Sequence, residues 1–178
     1  MTELNQLLLN FNLKQNFNYD DYYVGESNYF AFKLIDSWPN WPKRIVNIYG
    51  EKGCGKTHLS DIFKNKHKAK IIKEQDVSFD TFKSFKICQN IILDNFQNIL
   101  DEKTLFSFLN LIEKDNKYLI INSILPITNL KYKLPDLISR INNTLFVEIK
   151  NPDDDMIFAL LLKNFSDRQM NIDKKLID

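Results

Sequence analysis

Eight consecutive residues carry the sharpest chemistry in this sequence: Gly50-Glu51-Lys52-Gly53-Cys54-Gly55-Lys56-Thr57. They fit the pattern G-x-x-x-x-G-K-[ST], and each residue type answers a physical need. Glycines let the backbone curl until successive N–H groups point inward at phosphate oxygens. A helix that follows adds the positive end of its dipole. The Lys56 ammonium then reaches the β- and γ-phosphates, and the Thr57 hydroxyl can ligate Mg²⁺. The chain has only 4 glycines, and Gly50, Gly53 and Gly55 fall within six residues of one another. That concentration argues against a casual turn. The loop predicts a nucleotide site formed by Gly50, Gly53, Cys54, Gly55, Lys56, Thr57 and His58.

Asp94 is the second chemical position, closing the apolar run Asn90-Ile91-Ile92-Leu93. In P-loop folds an acid at such a strand end holds the Mg²⁺ shell. Asp94 and Thr57 are therefore the predicted metal pair. Asn95 follows; it can hydrogen-bond but cannot take a proton. Other chemistries find little to work with. His58 and His67 are the only histidines, too few for a metal cluster. Cys54 and Cys88 lack the spacing of a zinc or redox motif, which points to a reduced, cytoplasmic setting. No Ser/His/Asp or Cys/His nucleophile set can be assembled.

The elements that must position these residues follow from apolar patterning. Residues 44–49 form a compact β-branched run, read as a buried strand leading into the loop. Residues 58–66 read as the helix after it, and 28–38 as a helix before it, stopped by Pro39 and Pro42. Further strands are expected at 69–73, 90–93, 118–121 and 145–149. Helices are expected at 104–114 and 152–163, the last with Pro152 in its first turn. Strands alternating with helices imply a parallel sheet covered on both faces, one α/β domain of the P-loop NTPase class. A length of 178 residues, 44% hydrophobic, suits a single core. The formal charge of +1 argues against a stand-alone DNA binder. The start lacks a basic leader, and no apolar run spans a bilayer, so no membrane association is expected.

Several segments together resemble the DnaA branch of the AAA+ family. Tyr23-Val24-Gly25-Glu26-Ser27-Asn28 is similar to the family's opening motif, whose backbone lies beside the adenine; Lys56-Thr57-His58-Leu59 is its usual wording after the loop. Leu134-Pro135-Asp136-Leu137-Ile138-Ser139-Arg140 resembles the segment carrying the family's arginine finger. Asp153-Asp154-Asp155 and Phe165-Ser166-Asp167-Arg168-Gln169 resemble the passage into the helical lid. The Trp-Pro-rich link at Asp36-Ser37-Trp38-Pro39-Asn40-Trp41-Pro42 is similar to that of the regulatory, Hda-like group in its short alphaproteobacterial form.

The resemblance implies a five-stranded AAA+ core over residues 19–150 that holds ADP or ATP with Mg²⁺, with Tyr23 and Val24 near the base. It implies a lid beginning at 151 and cut short at 178. Active members carry an acid where Asn95 stands, so slow hydrolysis by the chain alone is expected. Where the family senses the γ-phosphate, Asn122 or Ser123 could serve. Hda-like proteins bind the DNA polymerase sliding clamp through an N-terminal peptide and drive hydrolysis of DnaA-bound ATP. By that resemblance Arg140 is the finger acting on DnaA. Gln6, Leu7, Leu9 and Phe11, on a flexible tail over 1–18, are the clamp contacts, with no sequence-specific DNA binding. Homo-oligomers stay open, as do two alternatives: a DnaC-like helicase loader or DNA-handling ATPase, and a nucleotide-free adaptor. A small-molecule kinase would need an acceptor pocket that residues 116–149 do not suggest.

Overall fold

The computed structural model describes residues 22–167. The tail with Gln6, Leu7, Leu9 and Phe11, and the lid residues beyond 167, lie outside the described residues. Five strands form one parallel sheet: β1 (Ile45–Tyr49), β2 (Lys70–Lys73), β3 (Asn90–Phe96), β4 (Tyr118–Ser123) and β5 (Leu145–Glu148), in the order β2-β3-β4-β1-β5. Six helices connect and flank them: α1 (Tyr29–Asp36), α2 (Lys56–His67), α3 (Phe82–Phe85), α4 (Glu102–Lys114), α5 (Pro135–Asn142) and α6 (Asp154–Asp167). Among the described residues no helix is long and apolar enough to cross a membrane.

Side chains alternate across the pleat, so each strand feeds two cores. Ile45, Ile91, Leu93, Leu119 and Ile121 pack with Leu105, Phe108, Leu109 and Ile112 of α4 and with Leu137 and Ile141 of α5. Val46, Ile48, Ile92 and Ile120 pack on the other face with Ala31 and Ile35 of α1 and Leu59, Ile62 and Phe63 of α2. Strands buried on both faces explain why the central runs read as continuously apolar rather than alternating.

The expected elements are present, with shifted ends. The first helix is shorter than 28–38; the buried Asn28 precedes it, its amide accepting from Gly25 N and donating to the Tyr23 carbonyl. The helix after the loop begins at Lys56, not at residue 58, because its first turn is part of the loop. The third strand runs past residue 93 to Phe96 by way of a bulge: Leu93 pairs with Ile121 but Phe96 with Ser123, and Asn95 takes up the extra residue at φ 55°. Pro152 stands ahead of α6 rather than in its first turn, since Asp153 accepts the Met156 amide at 2.8 Å and caps the helix instead. Neither α3 nor α5 was expected as a helix. With two apolar residues facing the core, Leu137 and Ile141, α5 has little periodicity to read.

His67 closes α2 with its ring 4.3 Å from that of Trp38 and 4.9 Å from that of Phe63. Burial, aided by Lys66 and opposed by Asp36, holds its pKa below the usual 6.5. The folded state therefore favours the neutral ring, and the unfolded chain binds more protons below pH 6.5. This contribution is complete above that pH and is lost as pH falls from there through the folded value. Urea midpoints should decline on acidification below pH 6.5, and His67→Gln should flatten that decline; an unchanged slope would place the titration elsewhere.

Candidate functional site

The phosphate loop forms where β1 runs out of room. The Gly50 amide donates to the Ser123 carbonyl at 3.3 Å, and a Cβ on Gly50 would lie 2.2 Å from the Ile149 carbonyl oxygen. No side chain fits there. Gly53 and Gly55 adopt φ of 91° and 99°, left-handed values that turn the loop back into α2. Gly55 is the residue before the helix and offers no side-chain cap, so the first amides of α2 stay available to an anion. The Lys56 ammonium lies over the loop, donating to the carbonyls of Gly50 (2.6 Å) and Glu51 (2.7 Å). Glu51 in turn accepts from Asn151 Nδ2 at 3.0 Å, tying the loop to the chain ahead of α6.

Beside this loop the strand ends present polar groups. Asn122, fully buried on β4, donates through Nδ2 to Asp94 Oδ1 and to Ser60 Oγ, both at 2.7 Å. Its Oδ1 is buried without a hydrogen-bond partner. Ser123 is committed differently: its hydroxyl accepts from Asn47 Nδ2 (2.8 Å) and donates to the Leu125 carbonyl (2.6 Å). Of the two sensor candidates, Asn122 is thus the one coupled to the acid. Asp94 keeps Oδ2 for other work, and Thr57 is exposed at the start of α2. One carboxylate and one hydroxyl, completed by phosphate and water, form an oxygen set that suits Mg²⁺. Among the described residues no group of three or more His, Cys, Asp or Glu could hold a metal by itself.

These parts line one cleft of about 860 Å³. It brings together Tyr23, Gly53, Cys54, Gly55, Lys56, Thr57, His58 and Asp94. Gly50 and Val24 are not among its walls: Gly50 shapes the loop from beneath, and Val24 is exposed. His58 lines the cleft with its ring 5.0 Å from that of Tyr22, edge to face. Burial, with Cys54 alongside, pushes the Tyr22 phenol above its usual range and keeps it neutral. Sequence reasoning missed Tyr22, Gln97, Met156 and Leu160 as walls. The i, i+4 spacing of Met156 and Leu160 on one helix was the available signal.

Arg140 is elsewhere. It lies in the last turn of α5 and pairs with Glu113 at the end of α4, beside a second, open cleft. Arg44, just ahead of β1, donates to the Asn116 carbonyl just beyond α4, which places this region at the start of β1, whereas the phosphate loop leaves its end. The five residues of β1 separate the two by roughly 15 Å.

A family profile, the bacterial DnaA ATPase domain, matches residues 13–86. The DnaA initiator of Acholeplasma laidlawii is 25% identical over 190 residues, covering 91% of this chain and 43% of the initiator. In fold, AMPPCP-bound DnaA from Aquifex aeolicus superimposes with a TM-score of 0.77 at 21% identity, over 93% of this chain and 60% of that one. Domain III of Thermotoga maritima DnaA gives 0.73 at 18% identity, over 91% and 78%. The chain is similar to the DnaA ATPase domain in sequence over residues 13–86 and in fold over most of its length. It spans about two-fifths of the length of the curated initiators it matches. Within this DnaA-like fold the glycine loop, the Asp94–Asn122 pair and the cleft occupy one end of the sheet, and Arg140 the other.

The two loop glycines separate steric from conformational demands. Gly50→Ala must drive a Cβ into the Ile149 carbonyl and should cost about 3 kcal/mol or more, whereas Gly53, whose Cβ would meet nothing within 4 Å, should cost only about 1 kcal/mol as Ala. Urea unfolding of the two variants measures the difference. Equal costs would mean that the Ile149 contact does not fix the loop.

Proposed function

We propose that this chain is a regulator of replication initiation: it holds an adenine nucleotide in its own cleft and uses Arg140 to speed hydrolysis of ATP bound to DnaA. The observation that carries the reading is the placement of Arg140. It is outside the chain's own cleft, so any nucleotide it touches belongs to another molecule. A guanidinium delivered to a transferring phosphoryl group neutralises charge that develops there, an effect worth about 10³–10⁵ in rate.

The chain's own cleft suits binding more than turnover. Backbone amides and Lys56 receive the phosphates. Thr57 and Asp94 would hold Mg²⁺, which would neutralise phosphate charge. Asn122 Nδ2 holds Asp94, and its unpartnered Oδ1 is turned toward neither Asp94 nor Ser60. Asn95, in the left-handed bulge, cannot accept a proton from water. ADP or ATP with Mg²⁺ is thus a resident ligand, hydrolysed slowly in the absence of a partner. The tail peptide with Gln6, Leu7, Leu9 and Phe11 would anchor the molecule on the sliding clamp, with apolar side chains as plugs and Gln6 at the rim.

The test is single-turnover hydrolysis of ATP loaded on cognate DnaA, with clamp assembled on DNA. Wild type should accelerate it, Arg140→Ala should lose about 10³-fold of that acceleration, and replacing Gln6 and Phe11 by Ala should abolish clamp binding without changing the urea midpoint. Unchanged stimulation by Arg140→Ala would remove this arginine from the reaction.

A further inference from the structure

α4 holds α5 at both ends. At the start of α5 the Glu102 carboxylate accepts the amides of Lys133 (2.9 and 3.0 Å) and Leu134 (2.7 Å). At its end Glu113 Oε2 pairs with Arg140 Nη1. Between these clamps Leu137 and Ile141 are buried against Leu105, Phe108, Leu109 and Ile112. The helix is therefore fixed along its length by one neighbour, and Arg140 is the only one of its side chains whose charged head is also fixed by that neighbour. An arginine otherwise has many rotamers open to it, and a head held in one of them has already lost that freedom before it meets a ligand.

The manner of pairing matters. Glu113 Oε2 meets Arg140 at Nη1, and since one carboxylate engages about two of a guanidinium's five N–H donors at most, donors remain for a second anion. The side chains are 38% and 28% exposed, at the rim of an open cleft of about 750 Å³ that Lys86, Asn110 and Lys114 also line. A guanidinium paired on one edge by a carboxylate still has its other edge to offer to phosphate.

We infer that Glu113 is the positioning residue for Arg140, presenting its free donors to a nucleoside triphosphate on the partner. The inference rests on the proposed action of Arg140 on DnaA-bound ATP. Lys86 and Lys114 line the same cleft; of its two carboxylates Glu113 pairs with Arg140 and Asp115 with Lys117, so the face keeps an excess of positive charge that suits the phosphate end of the partner's nucleotide rather than its base.

The test separates aim from docking. Single-turnover hydrolysis of DnaA-bound ATP is followed against concentration of the full chain, for wild type, Glu113→Ala, Glu113→Gln and Arg140→Ala, with urea midpoints as a folding control. Glu113→Ala should lower the rate at saturation by about 10²-fold and leave the half-saturating concentration unchanged, because a misplaced reacting group loses rate rather than affinity. Glu113→Gln keeps the shape and an acceptor oxygen, so it should recover part of the loss. If Arg140→Ala abolishes stimulation while either folded Glu113 variant matches or exceeds wild type, Glu113 does not aim the arginine and the inference falls alone. If Arg140→Ala stimulates as wild type does, the reading of Arg140 falls, and this inference with it.

Discussion

Gly50 leaves β1 with its amide on the Ser123 carbonyl and with no space for a side chain against the Ile149 carbonyl. Everything at the nucleotide end depends on that squeeze. β1 is flanked by β4 and β5, both parallel to it, and Ser123 and Ile149 are where those neighbours end or have just ended. The chain can only turn out of the sheet, and it does so through residues that tolerate left-handed backbone. The turn delivers Lys56 and the uncapped amides of α2 to one place, beside strand ends that already carry Asp94 and Asn122.

Buried polar groups do the remaining positioning. Asn47, in mid-strand on β1, donates to the Ile121 carbonyl and to Ser123 Oγ and accepts the Ile127 amide, which fixes the turn after β4. Glu74, 3% exposed, accepts the amides of Gln97, Ile99 and Leu100 at 2.6–3.0 Å and so shapes the loop that follows the bulge. Each loses water on burial and regains the loss only if its partners stay in place. The loops around the cleft are thereby held by hydrogen bonds from neighbouring elements as well as by apolar packing.

The legible parts of the sequence were those governed by local pattern. The glycine loop is contiguous, and the central strands are buried on both faces, so both could be read directly. Asp94 was found because an acid closes an apolar run, but the bulge that carries the strand on to Phe96 leaves no such mark. Glu74 was invisible, since its partners lie more than twenty residues away. The same holds for Arg140 and Glu113, which α4 and α5 bring together from positions 27 apart. Val24 and Tyr23 share a motif but differ in placement: the Val24 side chain is exposed while Tyr23 lines the cleft.

On the proposed reading, a DnaA-like fold with the glycine-loop cleft at one end and a braced arginine at the other faces two molecules at once: its own ligand, and another chain's. The most direct measurement is photocrosslinking from an ATP analogue that carries its reactive group on the γ-phosphate, loaded on DnaA and mixed with this chain. The account predicts label on the ends of α4 and α5, around Glu113 and Arg140. Label confined to the glycine loop of this chain, or none on it at all, would contradict the claim that Arg140 serves a nucleotide held by its partner.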